Sequence, residues 1–490
     1  MLTALFIVPL VAGVLALVVP RVVRRVLMPI TGLVHVAIMV WAWIVRPPPE
    51  LDGWIALDPV GQIFLSIASV LFLATSLYAA GYLAEEDPGW RDDIESPLPF
   101  INAPEAVFAS CFLFFLASMT VVTLAQHFSL MWIAIEATTL ATAPLLYFHR
   151  HKRSLEATWK YLVLCSVGIA LALIGTFFIA VSGQTAGGHH IPLLLSELTR
   201  TGVMLEPTWL HTGFVFILVG YGTKMGLVPL HSWLPDAHSE APSPVSALLS
   251  GALLNCACLG IWRTLQVYAS AGQVGAAREL LVGFGVMSVV VAAVFMVNQR
   301  DYKRLLAYSS VEHMGVIALG MGLGGPAAFA ALLYAIHHSL VKSALFLLSG
   351  NILRVFKTKS AAEVRGALRT SPWTGGLWCA GMFAITGTPP FGLFPAKFAI
   401  LQHAFAHGYV VIGIVCLLFF AIIFIGLTGT GLAMAQGEPP PALGGATRPQ
   451  WLLVLPPAFL LTLSLVLGSY LPAPVHEVLT AAGATIEGAR

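Results

Sequence analysis

Long apolar runs separated by short polar connections follow one another along almost the whole chain. Each run is about 20 residues long, which lets an α-helix cross the ~30 Å of hydrocarbon in a bilayer. We count about fourteen such runs. They begin near Leu2, Val26, Val60, Glu105, Phe128, Trp159, His211, Ser243, Arg278, Arg304, Pro326, Trp373, Tyr409 and Trp451. The pattern predicts an all-α polytopic membrane protein with longer connections at residues 84–104, 183–208, 356–372 and 435–450.

The composition indicates the same class of protein. Hydrophobic residues make up 58% of the 490 residues and charged residues only 10%, whereas soluble domains carry about 25% charged residues. The mean hydropathy is +0.86. The first apolar run lacks a basic leading segment and a small-residue cleavage site, so we predict that it forms the first span and is not a removable signal.

Lysine and arginine are concentrated in alternate connections. If the N-terminus is outside, the outer connections contain few of them, mainly Arg46, Arg200, Arg263 and Arg278. The cytoplasmic connections then contain Arg21, Arg24, Arg25, Arg150, Lys152, Arg153, Arg300, Lys303, Arg304, Arg354, Lys357, Lys359, Arg365 and Arg369. This asymmetry follows the positive-inside rule. It predicts a multi-pass protein of the cytoplasmic membrane with both termini outside.

The sequence offers no recognisable ligand set for a cofactor or a metal. All six cysteines fall inside apolar runs, and C-x-x-C and P-loop motifs do not occur. Asp236, His238 and Glu240 are polar enough for a metal site, but the prolines around them favour a hydrogen-bonded turn. We therefore expect no cofactor, no metal and no nucleic-acid partner, and we expect any redox chemistry to reside in another subunit.

One lysine, Lys224, lies inside an apolar run that carries no other charge from Thr212 onwards. A cation near the centre of a bilayer costs at least ~2.5–3.5 kcal/mol, so such a residue normally faces an internal cavity or a partner. The alternative is that Lys224 reaches the membrane surface, because Pro229 and Pro235 place the end of the helix nearby. Lys224 indicates a pathway for ions or protons.

Two segments are typical of interrupted membrane helices. They are residues Lys224–Pro229 and Thr388–Lys397, and both contain the pattern G-L-x-P. Proline inside a span removes a backbone hydrogen bond and leaves carbonyl groups free, and transporters with inverted repeats often place such interruptions at matching positions. A chance match is the alternative. We expect helix breaks at Pro229, Pro389, Pro390 and Pro395.

Each of these segments is preceded by a lone buried acid. Glu136 is the only carboxylate in its apolar run and lies about three spans before Lys224, and Glu312 stands in the same relation to Lys397. An internal repeat would produce such a pattern, and coincidence is the alternative. A carboxylate near a buried lysine favours the charged ammonium, whereas burial favours the neutral amine, so movement of Glu136 would switch the charge of Lys224.

Further ionisable residues lie between the two pairs. His338 and Lys342 are four residues apart and share one face of a helix, and an imidazole exchanges protons near neutral pH. His337 points about 100° away and packing between helices is its alternative role. His313 directly follows Glu312, so the two cannot both face the same partner.

We predict that protons pass from Lys224 to Lys342 or His338 and then to Lys397. Water and hydroxyl groups would connect these residues, among them those of Ser250, Ser339 and Ser343. Asn255, in the span that follows Lys224, is expected to form a hydrogen bond between helices.

The segment that follows Lys224, Leu230-His-Ser-Trp-Leu-Pro-Asp-Ala-His-Ser-Glu-Ala-Pro242, resembles the signature of the proton-pumping antiporter-like subunits of respiratory complex I. Related chains occur in Mrp antiporters and membrane-bound hydrogenases. The resemblance implies fourteen helices, with inverted five-helix repeats at residues 105–262 (helices 4–8) and 278–433 (helices 9–13). Helices 1–3 would occupy residues 1–104, the last helix and a tail residues 450–490, and the seventh and twelfth helices would be broken.

The resemblance also implies roles for single residues. Glu136 matches the glutamate of the fifth helix, Lys224 the lysine of the seventh, and Lys342 the central lysine. Lys397 matches the terminal residue of the twelfth helix. Asn255 stands where some members have a lysine, so the link from Lys224 to Lys342 would rely on water.

Three stretches are similar to component F of hydrogenase-4, namely Trp132–Leu140, Tyr147–Tyr161 and Ser309–Gly315. This similarity implies other membrane subunits and a peripheral redox arm resembling a [NiFe] hydrogenase with iron–sulfur subunits, as in formate hydrogenlyase. Two alternatives stay open. One is a subunit of an Mrp-type Na⁺/H⁺ antiporter, and the other is a membrane scaffold in which the polar row is idle.

Overall fold

The computed structural model describes residues 1–86, 89–93, 96–184, 191–441 and 448–487, and most of them are helical. The first six helices are α1 (Leu2–Val18), α2 (Arg21–Val45), α3 (Pro59–Glu85), α4 (Glu105–Leu124), α5 (Phe128–Leu146) and α6 (Lys152–Ser182). The next seven are α7 (Leu195–Arg200), α8 (Pro207–Met225), α9 (Trp233–Glu240), α10 (Ser243–Leu248), α11 (Leu254–Ser270), α12 (Val274–Met296) and α13 (Tyr302–Leu323). The last seven are α14 (Pro326–Phe356), α15 (Ala367–Thr370), α16 (Pro372–Ile385), α17 (Leu393–Ala406), α18 (Val410–Ala435), α19 (Trp451–Ser469) and α20 (Ala473–Ala484).

The helices match the predicted membrane class. Within the described ranges, 10 helices are long and apolar enough to cross a membrane, with α10 and α11 counted as one continuous segment. Helix α1 is shorter, α16 and α17 are short halves, and α8 and α13 carry the polar residues of the site. The structure therefore confirms a polytopic helical membrane protein, while the number of fourteen spans stays a prediction.

Two interruptions divide long helical segments. Between α8 and α9, Gly226 adopts a φ of +82°, and between α16 and α17, Gly387 adopts a φ of +77°. Side chains other than glycine rarely accept this left-handed conformation, so glycine ends the first half of each helix. Each interruption also contains a cis peptide bond, Val228–Pro229 in the first and Pro389–Pro390 in the second.

Pro395 does not lie in an interruption. It is the third residue of α17, where a helix lacks partners for its N–H groups and proline costs no hydrogen bond. Pro235 occupies the same position in α9. The two copies of G-L-x-P are thus at different places, because Gly226 directly follows α8 whereas Gly392 is the last residue before α17.

Close packing between α6 and α8 fixes the position of Lys224. A Cβ atom at Gly220 would lie 2.5 Å from the carbonyl oxygen of Gly168, and one at Gly175 would lie 2.7 Å from that of Gly213. Small residues at these crossings let the two helix backbones approach closely, which is a common way of joining helices in membranes.

Three regions differ from the expected connections and tail. An antiparallel hairpin of β1 (Trp90–Asp93) and β2 (Ser96–Ile101) lies in the connection after α3, whose residues 87–88 and 94–95 lie outside the described range. The segment after α19 forms α20, which packs against α3 and α14. Arg263, expected in an outer connection, is inside α11 and is 1% exposed.

Arg263 is buried because its guanidinium has partners on neighbouring elements. It forms an ion pair of 2.6 Å with Asp58, and it donates hydrogen bonds to the carbonyl oxygens of Val122 at 3.0 Å and Thr123 at 2.7 Å. These carbonyl groups belong to the last turn of α4, where a helix leaves them without partners. Arg263 therefore ties α11 to the end of α4.

Candidate functional site

The first acid–base pair joins α5 to the end of α8. Lys224 is fully buried, and its Nζ donates hydrogen bonds to Thr139 Oγ1 and, at 3.3 Å, to the carbonyl oxygen of Ile135. Thr139 Oγ1 in turn donates to Glu136 Oε2 at 3.3 Å. Glu136 and Lys224 are thus brought together, but through a threonine hydroxyl and not by a direct ion pair.

Neighbouring helices hold both members of this pair. Ser166 on α6 donates a hydrogen bond of 2.8 Å to Glu136 Oε1, and the ring of Tyr161 lies 5.6 Å from Lys224 Nζ. Trp233 at the start of α9 donates its indole N–H to the carbonyl oxygen of Thr223 at 2.8 Å. This last bond spans the interruption and fixes the end of α8 next to Lys224.

The second pair is in direct contact. Lys397 Nζ on α17 lies 3.1 Å from Glu312 Oε1 on α13, and the side chain of Glu312 is 1% exposed. The ring of Phe420 on α18 covers the ammonium at 4.2 Å, which adds a cation–π contact. The two pairs therefore share their residue types and their place beside a broken helix, but they differ in how the charges meet.

Histidines extend the second pair towards the middle of the protein. Glu312 Oε2 lies 3.3 Å from His313 Nδ1, which also contacts the hydroxyl of Tyr334. The ring centroids of His313 and His338 are 4.9 Å apart. Glu312 and His313 therefore contact each other, while Glu312 also pairs with Lys397 and His313 with Tyr334. These contacts connect Lys397 to His338, with a contact between two rings as the last step.

Lys342 lies one turn from His338 on α14 and is also fully buried. Its Nζ donates hydrogen bonds to the carbonyl oxygen of Leu306 and to the hydroxyl of Ser309, both on α13. Ser309 precedes Glu312 by three residues on the same helix, so both sites lie along one side of α13. Lys342 is therefore placed beside the path from His338 to Lys397.

Several buried polar atoms in the centre have no hydrogen-bond partner. Among the described residues, these include both ring nitrogens of His238, both of His338, and Oδ1 of Asn255. Buried polar atoms in proteins are normally paired, with protein groups or with water. His238, on α9, lies with its ring 5.2 Å from that of Phe346, the residue one turn after Lys342.

The sequence prediction considered His238 only as a possible ligand in a polar turn and left it out of the row. His238 is buried beside α14 because α9, which begins at Trp233 after the first interruption, packs inside the protein. The sequence signal that indicates such a residue is a histidine in the second half of a broken helix.

Asn255 forms the expected bond between helices. Its Nδ2 donates to Ser339 Oγ on α14 at 2.7 Å and to the carbonyl oxygen of Gly251 at 2.8 Å. Gly251 belongs to a π-helical turn, Leu249–Leu253, that joins α10 to α11, and such turns are frequent at functional sites.

The predicted hydroxyl groups have different surroundings. Ser250 and Ser310 share a hydrogen bond of 2.9 Å, and Ser339 accepts from Asn255. Ser343 donates to the carbonyl oxygen of Ala247 at 2.9 Å. Ser250 is therefore bonded to a side chain of α13 and Ser339 to a side chain of α11, whereas Ser343 connects α14 to α10.

His337 does not face the other histidines. Its Nδ1 lies 3.1 Å from Ser464 Oγ on α19, and a Cβ atom at Gly392 would lie 2.0 Å from its Nε2. The side chain therefore packs between α19 and the second interruption. This placement fits the alternative that His337 is a packing residue.

The side chains around the first interruption that were considered for a metal turn to separate partners. Asp236 forms ion pairs with Arg304 and, at 3.0 Å, with Lys160, whereas Glu240 pairs with Lys359 at 2.9 Å. Glu240 also lies 3.7 Å from His151. Burial lowers the pKa of His151, although the nearby carboxylate acts in the opposite direction. Across the described residues, no three His, Cys, Asp or Glu side chains converge on a metal position.

A known family and several known proteins resemble the chain over most of its length. Residues 125–424 match the family model described as "NADH:quinone oxidoreductase/Mrp antiporter, TM". The chain is 38% identical over 365 residues to the hydrogenase-4 component F homolog of Methylacidiphilum infernorum (isolate V4), which covers 74% of each protein.

Two solved structures share the fold over nearly the whole chain. A chain of the membrane-bound sulfane sulfur reductase, an archaeal respiratory membrane complex, has a TM-score of 0.84 at 20% identity, covering 99% of this chain and 98% of that one. A chain of the Mrp complex from Dietzia sp. DQ12-45-1b has a TM-score of 0.84 at 21% identity, covering 99% and 97%. The fold alone thus fits a respiratory complex and an antiporter equally well.

Proposed function

The chain belongs to the NADH:quinone oxidoreductase/Mrp antiporter transmembrane family, and from this premise we propose that it is the proton-translocating membrane subunit of a redox-driven complex. The observation that carries the proposal is the path of buried contacts from Lys397 through Glu312 and His313 to His338. Ionisable residues inside a membrane are costly and mark ion or proton pathways.

In the proposed route, Lys224 receives or releases a proton according to the position of Glu136. The proton then crosses the centre to Lys342 or His338 and continues to Lys397. The unpartnered atoms of His238, His338 and Asn255 support a hydrated crossing, because each needs a hydrogen bond that the surrounding described residues do not give. Some members of the family have a lysine at the position of Asn255, which cannot carry a proton itself. Water would therefore carry the proton between Lys224 and Lys342.

Modest rearrangements are enough to direct such a flow. A membrane potential changes the energy of a charge by ~2.3 kcal/mol per 100 mV. Exchanging one hydrogen bond to a charged group is worth a similar amount, about 1.5–3 kcal/mol. Contact or separation within each acid–base pair can therefore decide whether its lysine keeps the proton.

We also propose the repeat organisation that the family implies, with inverted five-helix repeats at residues 105–262 and 278–433. Supporting observations are that each range contains one interrupted helix and one acid–base pair. Residues 1–104 and 450–490 would then add the outer helices to reach fourteen spans.

The partner proposed for this subunit is a hydrogenase-4 or formate hydrogenlyase type of assembly. The identity of 38% to a hydrogenase-4 component F homolog supports it. Other membrane subunits and a peripheral arm with [NiFe] and iron–sulfur centres would surround the chain. We place it in the cytoplasmic membrane with both termini outside, which the distribution of arginine and lysine supports.

Proton flux through the assembled complex tests the function. Membrane vesicles containing the complex carry an internal pH-sensitive dye, and a K⁺ gradient with valinomycin imposes a potential. We expect Lys224→Met to abolish proton uptake, whereas Lys152→Met, a change at an exposed lysine, leaves it unchanged. Blue-native electrophoresis verifies that both variants assemble.

Three results would overturn the proposal. Proton uptake at the wild-type rate in assembled Lys224→Met removes the buried lysine from the route. Uptake that requires Na⁺ on the opposite side of the membrane identifies an Mrp-type Na⁺/H⁺ antiporter subunit instead. No uptake in the wild-type complex, with a functional dye response to an added ionophore, identifies an idle scaffold.

A further inference from the structure

Thr139 stands between the two charges of the first pair, and the second pair has nothing in this place. Its Oγ1 accepts a hydrogen bond from Lys224 Nζ and donates one to Glu136 Oε2. In the second pair, Lys397 reaches Glu312 directly at 3.1 Å. A hydroxyl group therefore bridges the first pair, whereas the second pair is in direct contact.

A hydroxyl group suits this position chemically. An ammonium can only donate hydrogen bonds and a carboxylate can only accept them, whereas a hydroxyl does both. Thr139 follows Glu136 by three residues, so one helical turn brings their side chains together. The threonine is fully buried, and solvent does not compete for its hydroxyl.

We propose that Thr139 is a positioning residue that keeps Lys224 and Glu136 one hydroxyl apart and so sets when the first pair closes. The inference rests on the proposed proton-translocating function and adds a gate to it. While the hydroxyl bridges the two groups, the carboxylate and the ammonium interact only through the hydrogen bonds of Thr139. When the hydroxyl turns away, the two groups can meet as Lys397 and Glu312 do.

The structure contains the second partner that such a turn requires. A threonine in a helix divides between two χ1 rotamers, one of which directs its hydroxyl to the carbonyl group three or four residues earlier. For Thr139 these are the carbonyl group of Glu136, three residues earlier, and that of Ile135, four residues earlier. The Ile135 oxygen already accepts from Lys224 at 3.3 Å and from Thr138 at 2.6 Å. Rotation of Thr139 therefore exchanges one set of partners for another within the same site.

Three substitutions test whether the hydroxyl is responsible. Thr139→Val keeps the branched shape and removes the hydroxyl, Thr139→Ser keeps the hydroxyl, and Thr176→Val is the matched control. Thr176 is a buried threonine of α6 whose hydroxyl bonds at 2.9 Å to the carbonyl oxygen of Ala172 in its own helix. Proton uptake by vesicles with the assembled complex is measured between pH 6 and pH 9.

We expect Thr139→Val to reduce uptake about tenfold and to displace its pH profile by about one unit, as loss of a hydrogen bond to charged groups implies. Thr139→Ser should stay within about twofold of wild type with an unchanged profile, and Thr176→Val should match wild type. Wild-type uptake and profile in Thr139→Val would overturn the inference, and so would equal losses in Thr139→Ser and Thr139→Val.

The variants distinguish a failure of assembly and a failure of the proposed function from a failure of the role proposed for Thr139. If Thr139→Val does not assemble, Thr139→Ala takes its place and must lose uptake while Thr139→Ser keeps it. If Lys224→Met keeps wild-type uptake, the proposed function fails. If Lys224→Met loses uptake while the hydroxyl-free variants keep it, only the role of Thr139 fails.

Discussion

The ammonium of Lys397 lies 3.1 Å from the carboxylate of Glu312, and Glu312 is almost completely buried. The contact joins α13 to the second half of the second broken helix. Removing one member of such a pair leaves the other as an unpaired group in apolar surroundings, which costs more than the absence of both.

We therefore expect Lys397→Met to destabilise the protein by ~3 kcal/mol, within the range for breaking a buried ion pair. The double variant Lys397→Met/Glu312→Gln should recover at least half of this loss. Unfolding in detergent, followed by tryptophan fluorescence, measures both. A double variant less stable than Lys397→Met would contradict the pairing, and both variants should lack proton uptake.

The two adjacent histidines of α14 should behave differently. The ring of His338 lies 4.9 Å from that of His313, whereas His337 is bonded to Ser464 and packed against Gly392. His338→Gln should reduce proton uptake ~100-fold, the scale of a positioned proton-transfer group. His337→Gln should keep uptake within about threefold and mainly lower the unfolding midpoint. Similar losses of uptake in both variants would return His337 to the pathway.

The close crossing of α6 and α8 should be sensitive to one methyl group. In Gly220→Ala the new Cβ would lie 2.5 Å from the backbone oxygen of Gly168, so the helices must separate, at a cost of about 1–3 kcal/mol. Because Lys224 is one turn further along α8, proton uptake should also fall. Gly283→Ala is the control, since a Cβ there would have no atom within 4 Å. Equal stability of the two variants would contradict the close approach.

Low pH should weaken the contact between Glu50 and the start of α1. Burial alone would raise the pKa of Glu50, but hydrogen bonds from the N-terminal ammonium, from the N–H groups of Leu2 and Thr3 and from the Thr3 hydroxyl lower it to about 2. Because the pKa is lower in the folded state, the carboxylate contributes stability above the ordinary value of 4.5, and this contribution disappears as pH falls from 4.5 to about 2.

The expected loss over this interval is ~1–2 kcal/mol, as for a partly exposed carboxylate with hydrogen bonds to charged and backbone groups. Unfolding midpoints of wild type and Glu50→Gln, measured from pH 6 to pH 2, give the difference. The two curves should converge at the acidic end. Parallel curves over the whole interval would show that Glu50 does not contribute.

The membrane architecture was predictable because its cause is local. Run length and scarcity of charge decide whether a segment crosses a bilayer, and both can be read from the sequence. Lys224, Lys342 and Lys397 were found for the same reason, since a cation is conspicuous in apolar sequence. The pairs with Glu136 and Glu312 followed from the similar separation of acid and lysine in the two halves of the chain.

Thr139 and His238 could not be identified in this way. A threonine hydroxyl is common in membrane helices and gives no signal, and its role here depends on how closely α8 packs against α5. His238 depends on the direction of α9 after the interruption. Pro395 was misplaced because proline disrupts the interior of a helix but is tolerated in its first turn, and the sequence does not say where the turn begins.

Lys224 and Lys397 also occupy opposite ends of their helices, which affects their charges. Lys224 is in the last turn of α8, where the partial negative charge at the end of a helix dipole favours a cation. Lys397 is near the start of α17, and its side chain leans back towards the positive end of that dipole. The backbone therefore stabilises the ammonium of Lys224, which a hydroxyl separates from Glu136, whereas the ammonium of Lys397 relies on the Glu312 carboxylate and the Phe420 ring.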